Sequence, residues 1–261
     1  MFPAPKTVNS DKKMVAMKTL LKSDPKLPIY SLSDNAVTIE FGREISEGIL
    51  EIITAFDQSL CQNPFPGFIA SVPAYTSLSV FFDPVRVIQS DEMPGAACFE
   101  KVSGYLSQLH EKLENTTTDT GNIVTIPVCY DPEFGLDIID VAKIHKLTVD
   151  AVIQLHSAAE YNVHMIGFMP GFAYLGGMTD SLATPRKGTP RSAVPAGSVG
   201  IAGKQTGIYP LQTPGGWQLI GQTPVKLFNV NRAQPSLLKA GDRLIFKPIT
   251  RLEFDHLAAT E

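Results

Sequence analysis

Residues 185–191 read Pro-Arg-Lys-Gly-Thr-Pro-Arg, and both arginines, Arg186 and Arg191, directly follow a proline. A proline ring fixes the backbone φ before each guanidinium. The planar fork of arginine then grips a carboxylate or a phosphate through paired hydrogen bonds. Over residues 167–224 the only acid is Asp180, against Arg186, Lys187, Arg191 and Lys204, although the 261-residue chain has a formal net charge of -4. Positive charge is therefore segregated, and the chemistry it offers is anion binding. The competing reading is structural, with the arginines capping loop carbonyls or forming surface ion pairs worth about 0–1 kcal/mol.

The same window holds Gly167-Phe168-Met169-Pro170-Gly171-Phe172-Ala173-Tyr174 and Pro214-Gly215-Gly216-Trp217. Glycines let backbone or ligand approach closely and aromatics wall a pocket, or the two together make a tight turn packed into a core. Acid–base groups are scarce. His156 shares a helix face with Val152 and Ile153, which fits a satisfied core histidine or an acid–base residue. The five histidines form no metal-ligand spacing with one another, so no metal site is expected. Ser198–Gln205 approaches a phosphate-binding loop but has Ser198 for the first glycine and Gln205 for the magnesium-binding hydroxyl. Ala196–Gly200 approaches a nucleophile elbow but has Ala196 for its first glycine. Binding groups are plentiful and acid–base groups are not, so the chain reads as half of a site.

The elements that must position these residues fall into two groups. Alternation over 36–41 predicts a strand, three- and four-residue steps over 44–60 a helix, residues 68–72 and 78–82 two strands, and Phe99, Val102, Leu106, Leu109 and Leu113 a second helix. This β-α-β-β-α order predicts an α+β unit of the split βαβ, ferredoxin-like kind. The polar stretch 114–122 marks a boundary. Beyond it come a strand at 123–130 and short helices near 138–145 and 149–158, the second capped by Thr148. Residues 167–224 hold 12 of the 20 glycines and seven of the 20 prolines, which favours short strands in a small barrel or sandwich, closed by a last strand within 238–249. The expected organisation is an extension at 1–27, an α/β domain at 28–116, a β domain at 117–250 and a tail at 251–261.

Composition bounds the class. With 44% hydrophobic and 18% charged residues the chain can bury a full core. The acidic balance argues against nucleic acid as a partner. Cys61, Cys98 and Cys129 are scattered and odd in number, as in a reduced cytoplasm, and are expected in the core. There is no apolar run of 18 residues, so no membrane span is expected.

The ordered series formed by His156, Gly167–Leu175, Pro185-Arg186, Pro190-Arg191, Val194–Val199, Gln205–Pro210 and Pro214–Gly221 resembles the allophanate hydrolase subunit 1 family. That family includes the B subunit of the three-part 5-oxoprolinase and the KipI kinase inhibitor. The match is dense over 156–224, looser at 30–155 and 225–249, and does not cover 1–27. The resemblance implies a C-terminal cyclophilin-like β-barrel and an ATP-dependent opening of 5-oxo-L-proline to L-glutamate. ATP would be used by a complex and not bound by this chain alone. The implied partners are the other two oxoprolinase components: the C subunit, which is an allophanate hydrolase subunit 2 homologue, and the A subunit. On this reading Arg186 and Arg191 hold the substrate carboxylate or a phosphate, and Gln205 and Tyr209 hydrogen-bond the lactam. Phe172, Tyr174 and Trp217 wall its ring, and His156 is the acid–base candidate. The family's other activities imply two alternatives, inhibition of a sensor histidine kinase and the carboxyltransferase half of a urea carboxylase.

Overall fold

The computed structural model describes residues 27–113 and 122–260, and the chain divides into two compact units, residues 1–119 and 120–261. Apart from Leu27 and Asn122, the expected extension and the expected boundary stretch lie outside the described residues.

In the first unit, strands β1 (Ile29–Ser33), β2 (Ala36–Glu40), β3 (Phe68–Pro73) and β4 (Ser77–Phe82) form an antiparallel sheet in the order β1-β2-β4-β3. Helix α1 (Glu47–Gln62) starts where the Ser46 hydroxyl accepts from the Ile49 N–H. It connects β2 to β3, which run the same way on either side of β4. Helix α2 (Pro84–Gln89) has Pro84 in its first turn behind an Asp83 cap, and α3 (Cys98–Leu113) follows. Alternation turns Val37, Ile39, Leu78, Val80 and Phe82 to one face, where Ile53, Phe56 and Leu60 of α1 and Val102 and Leu106 of α3 complete the core. Strand β1 and helix α2 go beyond the expected order. In β1, Tyr30 and Leu32 alternate with Ser31 and Ser33 over only four residues, and both are exposed, so the alternation marks no buried face. Ile45 and Phe99, expected on the helical stripes, are exposed, Ile45 because it precedes the α1 cap.

The second unit contains β5 (Ile123–Cys129), α4 (Ile138–His145), α5 (Val149–Ser157), β6 (Glu160–Ile166) and β7 (Ala173–Gly176). The series continues with β8 (Arg191–Val194), β9 (Ser198–Ala202), β10 (Gln205–Ile208), β11 (Thr213–Gly215), β12 (Gln218–Gln222), β13 (Arg243–Ile249) and α6 (Arg251–Ala258). Seven strands close a barrel in the order β10-β7-β6-β13-β5-β12-β9, while β8 and β11 pair as a separate ribbon. Of the two expected β architectures, the barrel is the one formed. The expected tail is instead helical over most of its length. Thr250 and Glu253 form a reciprocal capping box at its start, and Arg251 pairs with Glu133 and Asp255. Cys129 is buried, but Cys61 is exposed on α1, outside the core where it was expected.

Strand pleating decides what each wall of the barrel offers. Leu175, Val199, Ile201, Ile208 and Ile220 join the interior cluster. Their neighbours Tyr174, Gly200, Ala202, Gly207 and Leu219 face the other way, on the wall built by β7, β10, β9 and β12. Two of these five positions are glycine, which leaves a hollow in that wall.

Candidate functional site

That hollow is filled by aromatic rings. Phe172 lies at the centre, with ring-centroid distances of 4.8 Å to Tyr174, 5.3 Å to Tyr209 and 5.4 Å to Trp217, all edge-to-face. A Cβ added at Gly207 would lie 2.9 Å from Trp217 Cζ3 and 3.1 Å from Phe172 Cζ, and one at Gly200 would lie 3.0 Å from Trp217 Cβ. The glycines are therefore required for the rings to reach the wall. Val194 of the β8–β11 ribbon and Leu219 seal the cluster. Burial pushes the Tyr209 phenol up, opposed by a hydrogen bond from the Trp217 backbone N–H and by the charges of Arg186 and Arg191. The structure thus gathers Phe172, Tyr174, Tyr209, Trp217 and both arginines into one region. Phe172, Tyr209 and Trp217 are buried against one another, whereas Tyr174 and Gln205 are half-buried and Arg186 is exposed.

The anion held by Arg191 belongs to the chain itself. Arg191 Nη1 donates to Asp137 Oδ2 at 2.8 Å and Nη2 to Oδ1 at 2.7 Å, a bidentate pair. Lys187 Nζ donates to Oδ1 at 2.7 Å, and the Leu219 backbone N–H to Oδ2 at 2.7 Å. Asp137 also donates its own backbone N–H to Leu219 O at 2.7 Å. It is 1% exposed and occupies the cap position of α4 without capping it. Burial alone would raise its pKa, but Arg191, Lys187 and the Leu219 N–H together hold the carboxyl below its ordinary value. One carboxylate thus ties α4, β12 and the β8–β11 ribbon together. Sequence reasoning misses Asp137 and counts Lys187 only among the segregated positive charges. Asp137 sits just before a helix, where capping is the expected role, and its partners lie 50 and 54 residues away, so no local pattern shows the pairing. Arg186 makes no ion pair within the chain among the described residues.

His156 sits apart from this region, in the barrel interior, and is 0% exposed. Thr206 donates its hydroxyl to Gly200 O at 3.0 Å, so it accepts from His156 Nε2–H at 3.0 Å. His156 Nδ1 then accepts from the Tyr130 hydroxyl at 2.8 Å. The imidazole stacks on Phe246 at 4.5 Å, and burial lowers its pKa to about 3. It is a neutral ring with both nitrogens satisfied and no exposed surface. A buried ring committed at both nitrogens is the environment of a satisfied core histidine, one of the two readings that its helix face allows.

The two near-miss motifs fold as strands. Residues 198–208 form the β9–β10 hairpin with no helix at its turn, and Lys204 there pairs with Asp180 at 3.0 Å. Ser198 is buried in β9. Among the described residues no group of three or more His, Cys, Asp or Glu could hold a metal ion. No helix among them is long and apolar enough to cross a membrane.

With this barrel and site the chain belongs to the carboxyltransferase domain, subdomain C and D, family, which matches residues 27–238. Within it the similarity is to proteins that carry the name of the 5-oxoprolinase B subunit. The protein of that name from Bacillus subtilis is 46% identical over 226 residues, covering 87% of this chain and 94% of the relative. Its namesake from Haemophilus influenzae is 53% identical over 148 residues, covering 57% of this chain and 69% of the relative. The motif resemblance drawn from residues 156–224 leads to the same proteins. The solved structure of TTHA0988 superposes with a TM-score of 0.70 at 37% identity, covering 82% of this chain. This chain spans only 40% of that longer polypeptide.

Proposed function

We propose that the protein is the B subunit of a multi-subunit, ATP-dependent 5-oxoprolinase in the cytoplasm. The reaction is the opening of 5-oxo-L-proline to L-glutamate. One water adds across the lactam C–N bond, and a second hydrolyses ATP to ADP and phosphate. The observation that carries this reading is the 46% identity over nearly the whole length of a relative bearing that name. The geometry supports a shared site. His156 is sealed in the barrel and Asp137 is neutralised by two cations, so neither supplies a proton to a lactam. What the chain offers a ligand is the exposed Arg186, with Tyr174 and Gln205 half-exposed beside the aromatic cluster. Arg186 is the group proposed to meet the substrate carboxylate or a phosphate, while Arg191 holds the wall in place.

ATP and the acid–base groups are assigned to the two partners, the C-subunit homologue and the A subunit. The 198–208 hairpin lacks the helix N-terminus on which a nucleotide phosphate would rest. The second unit is proposed to be cyclophilin-like. The first is proposed to be a ferredoxin-like variant whose outer strand is the additional β1. The test is glutamate formation from 5-oxoproline and ATP by the three co-expressed proteins, with each omitted in turn. Loss of activity when this chain is left out is expected. A complete, assembled complex that forms no glutamate would overturn the assignment.

A further inference from the structure

Two of the described non-glycine residues of the second unit have a positive φ, Lys146 at the end of α4 and, in the loop after β6, Phe168. Its φ is 68°, in the left-handed region that bulky residues avoid. Met169 N–H donates to Gly167 O at 2.8 Å, which closes a γ-turn centred on Phe168, a turn that is rare and strained at positive φ. The ring gains little shelter for this: it is 65% exposed and touches the aromatic cluster only by an edge-to-face contact with Phe172 at 5.6 Å. Backbone strain that displays a large apolar ring to water has no stabilising purpose within the chain, and such strain gathers at binding sites.

The surroundings are apolar and basic. A Cβ at Gly171, in the same loop, would lie 2.8 Å from Phe228 Cβ and 3.4 Å from Pro210 Cβ, so three loops converge here. They expose Pro170, Leu211 at 43% and Val230 at 72%. Across 167–172, 209–213 and 226–232 there is no Asp or Glu, and the only charged residues are Lys226 and Arg232, the latter donating to Lys226 O at 2.8 Å. An exposed apolar patch with a basic rim marks a protein contact, and its complement is an apolar socket rimmed by acids. In TTHA0988 more than half of the polypeptide lies outside the part matched here, so a further protein segment accompanies this fold there.

We infer that Phe168 is the anchor by which this chain docks the C-subunit homologue of the complex proposed above, entering an apolar, acid-rimmed socket on it. The inference rests on that functional reading. The experiment titrates the purified C-subunit homologue against wild type, Phe168→Ala, Phe168→Tyr and Val230→Asp, with thermal melts of each chain alone. Phe168→Ala and Val230→Asp are expected to weaken binding by about 30-fold or more, the scale of a truncated anchor. Phe168→Tyr retains binding, and no variant alters the Tm of the isolated chain by more than a few degrees. Equal affinity of wild type and Phe168→Ala in an active complex would overturn the anchor and leave the functional reading standing. A wild-type chain that does not bind the homologue at all would overturn both. A wild-type dimer that Phe168→Ala converts to monomer would reassign the patch to a second copy of this chain and overturn the inference.

Discussion

Removing the Asp137 carboxylate tests whether it is the tie that holds the site wall together. Asp137→Ala deletes four hydrogen bonds, two from Arg191 and one each from Lys187 and the Leu219 N–H, and leaves two cations facing each other. Breaking a buried pair by removing one member costs about 3–5 kcal/mol. The Arg191 and Lys187 side chains keep 23% and 28% of their exposure, so water relieves part of this and about 3 kcal/mol remains. For a chain of this size that lowers Tm by roughly 6–12 °C. Asp137→Asn keeps an oxygen for the Leu219 N–H and should lose less. In a cycle with Arg191→Ala the double variant should be more stable than additivity predicts by about 1 kcal/mol or more. The pH dependence has a definite sign. The folded carboxyl titrates below its ordinary value, so its contribution is complete above about pH 4 and is lost as pH falls through the folded pKa. The Tm difference between wild type and Asp137→Asn should therefore narrow only in acid. Calorimetry at pH 7 and at descending pH decides the matter. A difference under about 2 °C between wild type and Asp137→Ala at pH 7, or full additivity in the cycle, would refute the reasoning.

Three further outcomes follow from the same geometry. Arg186→Ala should leave Tm within about 1 °C, as for a surface change, yet reduce glutamate formation by the assembled complex, whereas Arg191→Ala should lower Tm first; melts and turnover measured together separate the two. His156 has its pKa lowered to about 3, so its contribution is present above the unfolded value near 6.5 and is lost as pH falls from there toward 3, by about 4–5 kcal/mol in all. His156→Gln should flatten that limb of the stability–pH curve while leaving the pH profile of kcat unchanged, and a displaced kcat profile would restore an acid–base role. Gly207→Ala forces a methyl into Trp217, Phe172 and the Ala173 carbonyl, costing about 1–3 kcal/mol. Because Trp217 is the single tryptophan, its fluorescence should shift in that variant, and an unchanged spectrum would show that the ring does not pack where described.

The sequence makes most of the secondary structure legible, because its signals are local. Period-2 alternation in Val37-Thr38-Ile39, the helical steps of Val102, Leu106 and Leu109, and the Thr148 cap each act within a few residues, and the structure carries all three. The Thr250-x-x-Glu253 box is equally local and marks α6, where a tail is expected. The site is only partly legible. The residues of the 167–224 window do converge, but their roles depend on contacts that cross the barrel. The Pro-Arg pair points to an anion, and for Arg191 the anion is a side chain 54 residues earlier. The aromatic series allows either a pocket wall or a packed core, and only the contacts across the wall show that Gly200 and Gly207 let the rings sink and close on one another. Edge strand β1 offers only the short alternation Tyr30-Ser31-Leu32-Ser33 with its apolar side exposed, so its sheet neighbour β2 defines it rather than burial.

The barrel seam bears on how the chain comes to be folded during synthesis. Strand β13 pairs in parallel with β5 from Arg243 against Ile123 to Ile249 against Cys129, so the first and last strands of the barrel are neighbours although nearly the whole unit separates them along the chain. Every strand of the site wall lies between them in sequence. The first unit can complete its sheet as soon as its own residues leave the ribosome, because all its strands pair within 29–82. The second has an open edge until residue 249 has emerged, and through that interval the β5 edge is unpaired and open to pairing with other chains. Synthesis therefore delivers a finished first unit attached to an unfinished second one, and the wall beside Arg186 becomes part of a closed barrel only after residue 249 has emerged.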